Sequence, residues 1–201
     1  MIADKFLQQG LDKLYASIYA TSKPLWVPWM ENIQASRNEH TLSYIRPQVN
    51  STAKIIDVGC GNNLYKQYYE NLVGVDPVAP AADVKSTIEE FETNQRFDVA
   101  FCFGSIVYGT EERIRNQISK VVSLMESQNS IFWRSPQVLF DNKFQIKNPV
   151  PPQHYIEYNI FNFTEVKHNQ ISRDFGYILE DFSFDPQKNS YALAKWVRST
   201  Y

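Results

Sequence analysis

Lys54-Ile55-Ile56-Asp57-Val58-Gly59-Cys60-Gly61-Asn62-Asn63 is the stretch that decides the fold. An apolar run carries an acid near its end, two glycines alternate with a small residue, and a polar turn follows. An apolar run of this length reads as a strand buried on both faces. Glycines directly after it let the backbone turn sharply and lie against a ligand without side chains in the way. The predicted object is a parallel strand, Lys54–Val58, opening into a ligand-contacting loop.

The same pattern recurs downstream. Leu72–Asp76 predicts a second strand, ended by Pro77 and again closed by an acid. A short third strand is expected near Asp83–Lys85, after the loop Ala79-Pro80-Ala81-Ala82. Phe97–Phe103 is apolar apart from Asp98 and predicts a fourth; Ser130–Trp133 predicts a fifth. Between them, Glu111–Ser127 has an apolar stripe of Ile114, Ile118, Val121, Val122 and Met125. Thr110 is placed to cap that helix, and Glu111 and Glu112 suit its positive end. Strands alternating with helices imply a mostly parallel sheet with right-handed crossovers. Ligands of such sheets sit at the carboxyl ends of the strands, where Gly59 and Gly61 fall.

The flanks are less regular. Residues 2–20 and 28–46 predict two N-terminal helices, with Pro28 in the first turn of the second and Ile33, Arg37 and Tyr44 on one face. Leu64–Glu70 predicts a short helix or turn. Residues 135–163 hold Pro136, Pro149, Pro151 and Pro152, interleaved with Phe140, Phe144, Tyr155, Tyr158 and Phe161. Connections this long inside compact domains are commonly functional. Thr164–Phe175 suits a helix, and Tyr177–Phe184 with Ser190–Val197 suit an antiparallel hairpin.

Bulk properties narrow the function classes. The chain has 201 residues, 43% of them hydrophobic and 21% charged, so one domain with its own core is expected. Lys and Arg total 20 against 22 Asp and Glu, and the net charge of −2 supplies no general pull toward nucleic acid or anionic membrane. Two cysteines, Cys60 and Cys102, are too few for a disulfide framework or a zinc site, and no metal is expected. No secretory leader or membrane-spanning run is legible, which predicts a reducing, cytoplasmic setting. A nicotinamide fingerprint would need glycine where Leu64 stands.

Asp57-Val58-Gly59-Cys60-Gly61 resembles motif I of the class I S-adenosylmethionine (SAM) dependent methyltransferases, and Val73-Gly74-Val75-Asp76 resembles their second motif. The likeness is close over about residues 54–134 and loose elsewhere. It implies an α/β fold: a Rossmann-like, doubly wound, mostly parallel seven-stranded sheet of order 3-2-1-4-5-7-6, with an antiparallel last strand and N-terminal helices. It also implies SAM as cofactor, with S-adenosylhomocysteine as product. Asp57, Gly59, Cys60 and Gly61 would line the cofactor, and Asp76 would take the ribose hydroxyls, followed by Pro77. Phe103, Gly104 and Ser105 would lie near the methyl group. The family's adenine-side acid is missing, and Thr87-Ile88 occupies its slot, leaving backbone and Ile88 for that contact. Asn63 replaces a third glycine, and asparagine tolerates such backbone angles better than most residues.

The acceptor is not named by any motif. Sequences that mark amino methylation of bases, or a Pro-Cys nucleophile, are missing, so nucleic acid is unsupported and a small-molecule acceptor is favoured. RNA or protein methylation, and a non-catalytic binding module, remain alternatives. Tyr108 could line the methyl site or pack on the sheet. Arg134 could hold a substrate carboxylate or phosphate, or serve an ion pair. His154 could be a base or a solvated loop residue, and Arg37 could reach the SAM carboxylate or stay in water. Trp26, Trp29 and the 140–163 aromatics read either as a cap over the cleft or as core for a loop-rich edge. The expected division is a helical cap at 1–46, a cofactor core at 54–134, a substrate-side connection at 135–163 and a closing helix and hairpin at 164–201. Oligomeric state is not legible.

Overall fold

The computed structural model describes residues 7–13, 16, 28–137, 143–147, 155–159, 161–184 and 191–200; the side chains of 28–35, 143–147 and 155–159 fall outside that description. Six strands form one sheet in the order β2-β1-β3-β4-β8-β7. These are β1 (Ile55–Val58), β2 (Leu72–Val75), β3 (Phe97–Phe103), β4 (Met125–Pro136), β7 (Tyr177–Ser183) and β8 (Tyr191–Arg198). β1 pairs in parallel with β2 and β3, and β3 with β4. β8 runs antiparallel between β4 and β7. A second, two-stranded antiparallel sheet joins β5 (Lys143–Lys147) to β6 (Tyr155–Asn159). The helices are α1 (Pro28–Ile45), α2 (Glu111–Ser123) and α3 (Glu165–Asp174); residues 7–13 are also helical.

This is the expected mostly parallel α/β architecture with an antiparallel last strand. It differs in one strand: the third is reduced to a single parallel bridge between Val75 and Val84. The side chain of Asp83 is one reason. It is spent on the backbone, with Oδ2 accepting from the Gly74 amide at 2.8 Å and from Asn63 Nδ2 at 3.2 Å, while Lys66 pairs with Oδ1.

Strand alternation sorts the core into two layers. One face of the sheet buries Ile56, Val58, Ala100, Cys102, Ile131, Trp133 and Trp196 against Ile114, Ile118 and Val121 of α2 and Ile171 of α3. The other buries Ile55, Val99, Phe101, Phe103 and Phe132 against Ile45, Val49, Tyr65 and Tyr69. By the same alternation Asp57 lies on the second face with Ile55, and Arg134 with Phe132. Helix α2 starts as its sequence predicts, with the Thr110 hydroxyl accepting from the Arg113 amide. It ends earlier, at Ser123, because Leu124 caps it and Met125 already pairs with Phe97 across a bulge in β4.

His168 fills an aromatic box in the first layer. It is fully buried beside Trp133, Phe163, Phe182 and Trp196. The Trp196 indole, a donor only, gives its N–H to Nδ1 at 3.1 Å. The proton of neutral His168 is therefore on Nε2, which donates to Ser135 Oγ at 3.2 Å. Burial pushes this imidazole down to about 3. The folded state thus refuses a proton that the unfolded chain accepts below about 6.5. The stabilisation is complete above that value and is lost as pH falls toward 3, at a cost of about 2 kcal/mol between pH 7 and 5. Urea unfolding at both pH values should show the wild type losing about that much more on acidification than His168→Gln, since groups common to the two cancel in the difference. An equal acid loss in the variant would contradict it.

Candidate functional site

The carboxyl ends of β1, β2 and β3 converge on one loop, Gly59–Asn63. Gly59 (φ 66°), Gly61 (φ 54°) and Asn63 (φ 52°) all have left-handed backbone. At Gly59 the requirement is twofold. Its φ disfavours any side chain, and a Cβ there would collide with the Cβ of Ser105 across the cleft. The loop is pinned from below: the Gly59 and Cys60 amides donate to the Val75 carbonyl at 2.7 and 3.3 Å. Asn63 accepts the left-handed turn and ties its amide nitrogen to the Ala81 carbonyl at 3.1 Å.

Asp76 stands at the end of β2, 8% exposed. Its Oδ2 accepts from the Gly61 amide at 3.2 Å, and its Oδ1 from the Val78 and Ala79 amides at 2.9 and 2.8 Å. Three backbone donors therefore fix this carboxylate in one orientation. Asp57 is different. It is only 2% exposed, and its Oδ2 meets no donor among the described residues. Burial, reinforced by Asp76 and opposed by Arg134, pushes it up to about 7. A buried acceptor without a donor is costly, and such groups in native proteins call for an explanation. The hydroxyl of Ser105 is likewise buried without a partner among the described residues. Beside it, Gly104 (φ 86°) has no described residue within 4 Å of where a Cβ would stand.

Comparison with known proteins adds the fold. No protein-family model matches the chain, and no curated protein does. Solved structures match along nearly its whole length. Magnesium protoporphyrin IX methyltransferase from Synechocystis, with bound SAM, is 14% identical with a TM-score of 0.65, covering 98% of this chain and 95% of that one. The N-methyltransferase NodS from Bradyrhizobium japonicum, with bound S-adenosylhomocysteine, is 10% identical with a TM-score of 0.61, covering 93% and 97%. A Burkholderia thailandensis 1,6-didemethyltoxoflavin-N1-methyltransferase is 14% identical with a TM-score of 0.58, covering 89% and 93%. The chain has the class I SAM-dependent methyltransferase fold. In that fold's numbering the sheet reads 2-1-4-5-7-6, with the Val75–Val84 bridge standing for strand 3.

On this methyltransferase fold the residues anticipated from sequence fall into three groups. Asp57, Gly59, Cys60, Gly61, Asp76, Phe103, Gly104 and Ser105 lie on the three strand ends or the loops that leave them. Pro77 follows Asp76 directly and is half-buried, while Ile88 is buried at 5%. Burial raises the half-buried Cys60 thiol well above its ordinary range, which leaves no thiolate nucleophile there.

The second group is Arg134 and Arg37. Both guanidinium groups stand over the Tyr191 ring, at 5.9 and 5.7 Å from its centroid. Arg134 donates to Asn38 Oδ1 at 3.0 Å and Thr41 Oγ1 at 3.2 Å, and lies over Phe103. It is thus held by neutral acceptors of α1 and by ring faces, and it presents positive charge to the same sheet face as Asp57. The third group is Tyr108 with the histidine and aromatic candidates. Tyr108 packs against the α2 side of the core, and its carbonyl accepts from Arg113. His154, Trp26 and Phe140 lie outside the described residues, as do the side chains of Trp29, Phe144, Tyr155 and Tyr158.

Sequence reasoning missed Asn38, Thr41 and Tyr191, which reach Arg134 from α1 and β8. Nothing local announces them, because the contacts with Asn38 and Thr41 span 96 and 93 residues. Among the described residues no group of His, Cys, Asp and Glu could hold a metal ion, and no helix is long and apolar enough to cross a membrane.

Proposed function

We propose that this chain moves a methyl group from SAM to a nitrogen or oxygen nucleophile of a small molecule. The observation that carries the reading is Asp57, a carboxylate 2% exposed with an unmet oxygen beside the glycine loop. A ligand bearing an ammonium would supply the missing donor and neutralise the buried charge. The rest of the strand-end geometry suits the same ligand. Asp76, fixed by three backbone amides, would use its remaining lone pairs for the two ribose hydroxyls. Gly59, Cys60 and Gly61 would present backbone to the cofactor. Pro77, Ile88 and Phe103 would give apolar walls, and Gly104 and Ser105 would border the methyl group. Arg37 and Arg134 would carry positive charge to a carboxylate in the cleft.

SAM supplies a methyl group already activated by its sulfonium. The chain's work is then to orient, desolvate and hold the acceptor at near-attack distance. A general base is needed only for an acceptor that arrives protonated. The segment 1–46 and the 135–163 connection would form the acceptor side. The small-molecule reading is favoured by the net charge of −2 and by the small-molecule substrates named for the toxoflavin and protoporphyrin neighbours. Methyl-labelled SAM offered with separate metabolite, RNA and protein fractions tests it. Label is expected in the metabolite fraction alone. Label in RNA or protein would overturn the acceptor class.

A further inference from the structure

The adenine side of the cleft lacks an acid in the expected place. Adenine carries an exocyclic amine, a donor that a selective site must meet with an acceptor. Side-chain acceptors of the turn around Ile88 are already engaged. The Thr87 hydroxyl donates to Glu90 Oε2 at 3.2 Å and accepts from the Glu90 amide at 3.3 Å. Glu89 Oε1 accepts from Gln117 at 2.7 Å and faces Arg113 at 3.6 Å. Asp76 is held by its three amides.

The helical residues 7–13 bring another carboxylate to this region. Leu11 is 6% exposed, and Leu7 lies 3.2 Å from where a Cβ on Gly109 would stand, so the segment is docked on the loop between β3 and α2. Gln8 is clamped at both ends of its amide. Its Oε1 accepts from the Arg113 guanidinium, and its Nε2 donates to Asp12 Oδ1 at 2.6 Å. Arg113, in the first turn of α2, is itself 7% exposed. Asp12 is therefore oriented by a relay rooted in the core. Among the described residues no donor reaches its other oxygen. Arg113 also faces Glu89 at 3.6 Å, so the series Asp12–Gln8–Arg113 ends on the turn that carries Ile88. Burial raises the proton affinity of Asp12. Ser105, whose buried hydroxyl has no partner among the described residues, belongs to the same loop between β3 and α2.

We propose that Asp12 selects adenine, its outer carboxylate oxygen accepting from the exocyclic amine of the cofactor. The acid missing from the turn is supplied by the N-terminal segment, which makes that segment part of the cofactor site. This rests on the SAM reading and deepens it. A plain helix-surface pair of Gln8 and Asp12, spaced i and i+4, is the rival account.

Calorimetry with S-adenosylhomocysteine and S-inosylhomocysteine separates the two. The inosyl analogue replaces the amine with a carbonyl that would repel Asp12. Wild type should prefer the adenosyl ligand by about tenfold or more. Asp12→Ala should weaken the adenosyl ligand about tenfold and leave the inosyl ligand unchanged or tighter. Asp12→Asn, which keeps size and an acceptor, controls for folding and should fall between. Equal changes for both ligands, or none, would overturn the role of Asp12. Absence of binding by either ligand to folded wild type would instead remove the SAM reading beneath it.

Discussion

Asp57→Asn is expected to make the unliganded chain more stable and the liganded chain much weaker. The carboxylate lies at 2% exposure, its Oδ2 meets no donor, and burial pushes it up to about 7. A group whose folded pKa is raised is fully accommodated below its unfolded value near 3.8 and becomes a liability as pH rises through about 7. At pH 8 the wild type therefore carries an uncompensated buried charge. An asparagine of the same shape removes that charge, worth on the order of 1–4 kcal/mol. The thermal midpoint should rise by several degrees at pH 8, by less at pH 5, and hardly at all below the unfolded value near 3.8. The same change deletes the anionic partner of an ammonium and should weaken S-adenosylhomocysteine by about 10–100-fold. Gained stability with lost binding is the mark of a residue kept for function. A midpoint that falls at pH 8 would show that Asp57 is instead compensated in the free chain.

Gly59→Ala should be damaging for two separable reasons. Left-handed backbone at φ 66° costs an L-residue about 1–2 kcal/mol. The new Cβ also collides with Ser105, and overpacking of this kind costs about 1–3 kcal/mol more. The sum, about 2–5 kcal/mol, should appear as a lower urea midpoint with loss of cofactor binding. Adding Ser105→Gly removes the collision and leaves the backbone strain. The double variant should therefore recover part of the stability, and no more. Full recovery would mean that the left-handed backbone at Gly59 is not required.

The cofactor half of the molecule was legible in sequence because its signals are local. β1, β2 and β3 are short apolar runs whose ends are marked by an acid or glycine, and the stripe of α2 repeats at helical spacing. The closing hairpin was legible for the same reason, with β7 and β8 within one residue of expectation. The rest depends on contacts that no window contains. The amino-terminal half of β4, Glu126-Ser127-Gln128-Asn129-Ser130, is polar and reads as helix end or turn. It is a strand because Met125 pairs with Phe97 across a bulge and Val99 pairs with Ser130. The third strand failed because Asp83 bonds the backbone of Gly74 and ends pairing after one bridge. β5 alternates strictly as Lys-Phe-Gln-Ile-Lys, yet the surrounding prolines drew the whole stretch into a loop reading. Of the proposed site, the strand-end positions of Asp57, Gly59, Gly61 and Asp76 were readable from their local pattern. The partners of Arg134, and the link from Asp12 through Gln8 to Arg113, were not, since packing of the N-terminal helices decides them.

The central claim is a SAM site on the glycine loop between Asp57 and Asp76, and calorimetric titration of S-adenosylhomocysteine into wild type and Asp76→Ala tests it most directly. One-site binding in the micromolar range, weakened at least about hundredfold in a variant that stays folded, is the predicted result. Folded wild type that takes up neither S-adenosylhomocysteine nor SAM, or binding that Asp76→Ala leaves untouched, would contradict it.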